Sequence, residues 1–303
     1  MKRNWQDTMK LLLTGANGQV GFELRRSLSD LGELTCLTRA ECDLAYPAGL
    51  REAVRALRPD VIVNAAAYTA VDQAESQPDA AWTVNAEVPG ILGEEAARLG
   101  AMVVHFSTDY VFDGRKPAPY TEADPPAPLS VYGRSKLAGE QALADSGARH
   151  LVLRTSWVLG AHGNNFARTI LRLAAERETL RVVADQHGAP TGAALLADTT
   201  ARLLMRHAQE GAEGFPYGLY YLAAAGETTW YHYARFVVEA AQARGRPLRL
   251  SADRIEPIPT SEYPTPAQRP LNSRLDTSRL RQTFSLELPH WQDCVRQVVQ
   301  QIA

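Results

Sequence analysis

Cysteine is scarce in this chain. The three present, Cys36, Cys42 and Cys294, cannot all pair and lack metal-ligand spacing, which argues against a disulfide scaffold or a zinc ribbon. They read as reduced, buried thiols of a cytoplasmic protein. Seven histidines are scattered without an H-x-x-x-H pair, so no metal is expected. An excess of one charge is lacking too. A formal net charge of -2 sets up no basic field for nucleic acid or an anionic membrane, and neither is expected as a partner. No apolar run approaches the roughly 20 residues that span a bilayer. The opening MKRNWQDTMK is basic but has no apolar stretch behind it, so it does not read as a secretory leader.

What is present is the composition of an ordinary globular protein, 303 residues with 45% apolar and 22% charged side chains. From Met9 the chain alternates short apolar runs with helical patterns. Leu11 to Leu13, Glu33 to Thr38, the run DVIVNAAAY and the run AMVVHFS read as strands. Between them, LREAVRALRPD and a segment from about Ala81 to Leu99 carry helical periodicity, and another helix is expected from Val131 to Asp145. Near-continuous apolar strands alternating with helices indicate an α/β fold, a Rossmann-type doubly wound parallel sheet covered on both faces. After about Ser156 the rhythm loosens. LRVVAD, a helix from about Leu195 to Ala208 and YGLYYLA suggest a return to the sheet. The expected organisation is a dinucleotide-binding domain over 1–160, with residues 1–8 an extension and the sheet completed by segments near 195–225. A smaller, partly interleaved region over 161–303 is expected to bind substrate.

Gly15-Ala-Asn17-Gly18-Gln19-Val20-Gly21 lies directly between a strand and a helix. Glycines at that spacing allow a tight turn, close approach of backbone to a pyrophosphate, and close packing of helix on strand, while the helix N-terminus offers free N–H groups. This predicts a nicotinamide dinucleotide. The spacing G-x-x-G-x-x-G resembles the extended short-chain dehydrogenase/reductase superfamily. At the end of the second strand an acidic side chain would select NAD, and an arginine would accept the 2′-phosphate of NADP. Here Thr38-Arg39 stands, with no carboxylate before Glu41, so NADPH is favoured, with NADH also usable. Ala65, Ala66, Ala67 and Tyr68 close the third strand with mostly small side chains, which lets backbone lie against the cofactor. By resemblance to the superfamily, Asp43 and Leu44 line the adenine, and Asn85 matches a structural asparagine.

Tyr132-Gly-Arg-Ser-Lys136 supplies a second anchor. At i and i+4 on a helix the two side chains share a face. A phenol with a pKa near 10 is protonated at neutral pH and can donate; an ammonium beside it stabilises the phenolate left behind. Thr108, at the C-terminal edge of a parallel strand in STDYVFDG, faces the crevice where open α/β sheets bind ligands. Such a Thr–Tyr–Lys set beside a nicotinamide means hydride transfer at a carbonyl or alcohol.

GANGQVG, NAAAYTAVDQAE, STDYVFDG, VYGRSKLAGE, RTSWV, GAPT and RPLNSRL together resemble the dTDP-4-dehydrorhamnose reductase family over nearly the whole chain from Met9. The resemblance implies reduction of the C4 ketone of dTDP-4-dehydro-L-rhamnose to dTDP-L-rhamnose with NADPH or NADH. It makes Tyr132 and Lys136 catalytic. It places Thr69, Val71, Thr108, Asp109 and Trp157 at substrate positions, with Tyr110 helping to shape the pocket. Arg269, and beyond it Arg274, are plausible diphosphate partners because guanidinium fits phosphate bidentately. Some relatives bind Mg²⁺ through carboxylates at a dimer contact; a homodimer is compatible with this chain, but no such ligands can be placed in it.

Four other readings compete. A dehydratase commonly carries an Asp-Glu pair after the threonine, and here Tyr110 replaces the second carboxylate with a phenol. A 4-epimerase holds NAD permanently, against which Arg39 argues. A regulatory subunit resembling that of methionine adenosyltransferase would have no need of Thr108, Tyr132 and Lys136 together. A reductase of another nucleotide-linked 4-ketosugar stays open.

Overall fold

The computed structural model describes residues 9–302. The expected extension over residues 1–8 lies outside them. Six parallel strands form the central sheet: β1 (Lys10–Thr14), β2 (Glu33–Leu37), β3 (Val61–Asn64), β4 (Met102–Thr108), β5 (Arg149–Thr155) and, after a long excursion, Gly218–Tyr221. That last strand joins the far side of β5, giving the order Gly218–Tyr221, β5, β4, β3, β1, β2. Every residue of β3 and β4 is buried, as a strand with helices on both faces requires.

Alternate side chains of β1 feed two cores. Leu11 and Leu13 pack with Leu24 and Leu28 of α1 (Gln19–Leu28) and with Leu196, Leu203 and Leu204 from the long helix Ala193–Gly214. Leu12 faces the opposite way, toward Leu50 and Val54 of α2 (Leu50–Leu57) and Val88 and Leu92 of α3 (Val88–Leu99). The helix α4 (Val131–Asp145) covers that second face beside α3. Because the chain leaves β1 toward β2 and then returns to place β3 on β1's other side, the sheet has its topological switch point between β1 and β3. A crevice therefore opens there at the C-terminal strand ends.

Three expectations need correction. DVIVNAAAY is not a strand throughout: pairing ends at Asn64, because the Asn64 Oδ1 accepts the Ala66 N–H at 3.3 Å and turns the chain out of the sheet. The helix expected from about Ala81 is interrupted by a π-turn over Thr83–Glu87, which carries Asn85 inward. LRVVAD does not return to the sheet. Its strand, Leu180–Val183, pairs in parallel with Ile255–Ile258 in a separate two-stranded unit. This unit packs with α5 (Phe166–Glu176), α6 (Trp230–Gln242) and the terminal helix Trp291–Ile302 around its own apolar cluster. Of the three cysteines only Cys294 is buried; Cys36 and Cys42 are half-buried.

Candidate active site

The glycine turn is held by backbone contact. Gly15 has φ +71°, and a Cβ there would lie 2.5 Å from the Ala66 nitrogen. A Cβ on Gly21 would lie 2.0 Å from the Gly15 carbonyl oxygen. Both positions exclude any side chain. Gly18 caps α1 with an extended backbone and no side-chain hydrogen bond, so the first N–H groups of the helix stay open to an anion. Asn17 and Gly18 are exposed, Gln19 and Val20 half-exposed, and Ala65 to Tyr68 run beside the turn. These residues fit a dinucleotide.

Asn85 acts as a clamp behind this segment. Its side chain accepts the Tyr68 N–H at 2.8 Å and donates to the Tyr68 carbonyl at 3.1 Å and to Ser135 at 3.0 Å. At the end of β2 the Glu41 carboxylate folds back onto the Thr38 N–H at 2.8 Å, while Arg39 is exposed. Asp43 holds the Ala45 N–H at 3.0 Å and Leu44 is half-buried, giving the loop after β2 a fixed shape.

Thr108 ends β4. Its hydroxyl accepts the Tyr110 N–H at 3.2 Å, starting a single 3₁₀ turn, and donates to Asp109 at 3.1 Å. Tyr110 meets the Tyr132 ring edge-on, centroids 5.5 Å apart. Burial pushes the Tyr132 phenol well above its ordinary value, with the Thr108 hydroxyl pulling the other way. Burial likewise raises Tyr110, to about 12. Both phenols therefore keep their protons at neutral pH. Asp109 is buried and pushed up to about 6 by burial, against the pull of the Ser273 and Thr108 hydroxyls. Its Oδ2 and the hydroxyls of Ser107 and Thr155 are buried without hydrogen-bond partners at the same strand ends. These unmatched polar atoms leave hydrogen-bonding capacity at the C-terminal ends of β4 and β5. Lys136 is buried, and desolvation lowers its ammonium to about 8, with Glu140 opposing the shift.

Beside this edge opens a cavity of about 610 Å³. Thr69, Val71 and Tyr110 line it from the sheet side; Phe166, Ile170, Val182, Gln186 and Trp230 line it from the second unit. Arg269 crosses its wall, paired with Asp72 at 2.7 Å and contacting the Tyr110 hydroxyl at 3.4 Å. Trp157 is half-buried beside it, stacked on Trp230 with centroids 3.7 Å apart. Arg274 is taken up by Asn272, Glu227 and the Pro117 carbonyl, which braces the neighbouring loops. Among the described residues no cluster of three or more His, Cys, Asp or Glu could hold a metal, and no helix is long and apolar enough to cross a membrane.

Sequence reasoning missed Asp72, Phe166, Gln186 and Trp230. Asp72 stands inside a motif already singled out, so its position was available. The other three carry no local signal, because the cavity assembles them from segments that are distant along the chain.

Residues 9–303 match the family model described as RmlD substrate binding domain. The chain is 51% identical to the dTDP-4-dehydrorhamnose reductase of Escherichia coli (strain K12), over 97% of this chain and 98% of that protein. It is 50% identical to the enzyme of the same name from Burkholderia thailandensis, covering 97% of this chain and all of that one. The fold superposes with a TM-score of 0.87 on a crystal structure of dTDP-4-dehydrorhamnose reductase from Bacillus anthracis in complex with NADP, at 33% identity, covering 96% and 98% of the two chains.

Proposed function

The chain belongs to the dTDP-4-dehydrorhamnose reductase family, and from that premise we propose that it reduces the C4 ketone of dTDP-4-dehydro-L-rhamnose, using NADPH or NADH, with Tyr132 as proton donor. The observation that carries this reading is the meeting of three parts at one strand edge: the open α1 N-terminus, the Thr108–Tyr132 pair, and the cavity that begins at Tyr110. The bound nicotinamide supplies a hydride to the carbonyl carbon. Everything else falls to the side chains. Thr108 orients the carbonyl oxygen, and Tyr132, held protonated by burial, donates to that oxygen as charge develops. Asp109, whose Oδ2 is unpartnered next to Thr108, is the group left to take a sugar hydroxyl. Phe166 and Trp230 present flat apolar surface of the kind a thymine ring packs on, and Arg269 stands where a diphosphate would pass. Arg39 at the end of β2 suits the 2′-phosphate of NADPH, and Glu41 beside it suits a free ribose hydroxyl.

The test is to supply dTDP-4-dehydro-L-rhamnose with NADPH or NADH and follow loss of nicotinamide absorbance. Turnover with either cofactor is expected. No turnover with either removes the reading, and turnover only with another nucleotide-linked ketosugar moves the substrate.

A further inference from the structure

One histidine lies in the apolar run of β4, and its surroundings tie it to the catalytic lysine. Thr14, Asn64 and His105 are register partners on the adjacent strands β1, β3 and β4, so their side chains stand in a row across one face of the sheet. All three are buried, as is Lys136, which reaches down onto the row from α4. The Thr14 hydroxyl donates to Asn64 Oδ1 at 2.6 Å. Asn64 Nδ2 meets His105 Nδ1 at 3.0 Å, and His105 Nε2 meets Lys136 Nζ at 3.2 Å. The row thus links the residue just before the glycine turn to the active-site amine.

The direction of the hydrogen bonds follows from Asn64. Its Oδ1 also accepts the Ala66 N–H, so the amide oxygen is committed and the NH₂ group must face His105. Nδ1 is then an acceptor, and a neutral ring must carry its proton on Nε2, aimed at Lys136. Lys136 donates to the Phe106 carbonyl at 2.7 Å and, as a neutral amine, has a lone pair left for the histidine N–H. An ammonium has none.

We propose that His105 is a positioning residue for the reduction, locked by Thr14 and Asn64 in the Nε2–H form so that it stabilises the uncharged amine of Lys136 and makes that lysine a ready proton source for Tyr132. The proposal rests on the reading of Tyr132 as donor. After Tyr132 gives its proton to the new alkoxide, the phenolate regains a proton at the expense of the Lys136 ammonium, which shares its helix face. The freed lone pair then receives the His105 N–H, and Lys136 regains its proton from solvent water. Burial supports this arrangement by holding the His105 imidazole well below its ordinary value and by lowering Lys136. The other titratable groups around the pair are Glu140 on α4, itself bound to Arg154 of β5, His150 on β5, and Tyr132, Tyr110 and Asp109 at the cleft; Glu75 caps the start of α4 by accepting the Val131 N–H.

The experiment is nitrogen NMR on the full chain labelled with ¹⁵N-histidine and ¹⁵N-lysine, the two signals identified by their loss in His105→Gln and Lys136→Met. The ring is expected to be neutral, protonated on Nε2 and bare on Nδ1, across the range where an ordinary histidine titrates, about pH 5.5 to 7.5. Asn64→Asp places an acceptor at Nδ1 and should reverse the tautomer, turning Nε2 into an acceptor for the ammonium. Lys136 should then titrate about one pH unit higher. The alkaline limb of kcat should move up with it, KM staying within about twofold. A wild-type ring protonated on Nδ1, or a Lys136 titration that Asn64→Asp leaves in place, overturns the proposal. The NMR needs no ketosugar, so failure to reduce the proposed substrate leaves this test intact.

Discussion

The two sides of the cleft are built by different means, and on the function proposed above each suits a different ligand. On the side proposed for the cofactor, main chain forms the surface: Gly15 against Ala65 and Ala66, open N–H groups at the start of α1, and small residues that keep side chains out of the way. On the side proposed for the substrate, side chains form it. Phe166, Gln186, Trp230 and Arg269 come from separate segments outside the six-stranded sheet. A pyrophosphate needs donors at fixed spacing, which the first turn of a helix offers regardless of sequence. A base and a sugar need shape and flat apolar surface, which only particular side chains offer. Thr108, Tyr132 and Lys136 sit where the two schemes meet.

The largest expected effect is at that meeting point. Tyr132→Phe should lower kcat by about 10²- to 10⁴-fold, the usual worth of a positioned general acid, while nicotinamide fluorescence titration shows unchanged cofactor binding. Wild-type turnover would show that another group donates. Next, Gly15→Ala should break the cofactor side alone. With φ +71° and a backbone nitrogen 2.5 Å from the new methyl, cofactor affinity is expected to fall at least about tenfold. Calorimetry with dTDP should still show binding; joint loss of both ligands would erase the contrast drawn above.

The converse is Arg269→Ala, which should weaken dTDP about tenfold, or about 1.4 kcal/mol, with cofactor affinity unchanged. An unaltered dTDP affinity would leave Arg269 as a brace for Asp72 only. The smallest effect concerns the scaffold. The Glu95 side chain is buried between α2 and α3 and held at about 2, chiefly by Arg55, with Arg51 helping, against the cost of burial. Its carboxylate is favoured by folding, so its contribution is complete above pH 4.5 and is lost as pH falls toward about 2. Melting curves of Glu95→Gln should therefore be flatter across that window than those of the wild type, with a lower Tm at neutral pH.

Legibility in the sequence divided along the same line. The glycine turn, the Y-x-x-x-K pair and the threonine at a strand end were readable, because each depends on neighbours within one helical turn or one strand end. Trp157 is expected as an aromatic wall, and the structure adds Trp230 stacked on it, a partner that residue type alone cannot name. Arg269 and Arg274 are two cations in one segment, of which Arg269 is the favoured phosphate partner. The structure separates them: one lines the cavity, and the other braces loops through Glu227. His105 passed as part of an apolar run, although a lone histidine among MVV and F was itself a signal that a buried partner existed.

By itself the sequence determined the doubly wound core, the glycine turn between strand and helix and the placing of Tyr132 and Lys136 on one helix face, because strand period, glycine spacing and helical i, i+4 geometry are local properties of the chain. Tertiary structure alone decided the cavity and its latch, where Arg269 meets Asp72 across 197 residues. It alone also decided the row from Thr14 to Lys136, whose first two links each join residues 41 or more positions apart. Such contacts are set by which strands lie side by side, and no local pattern encodes that order.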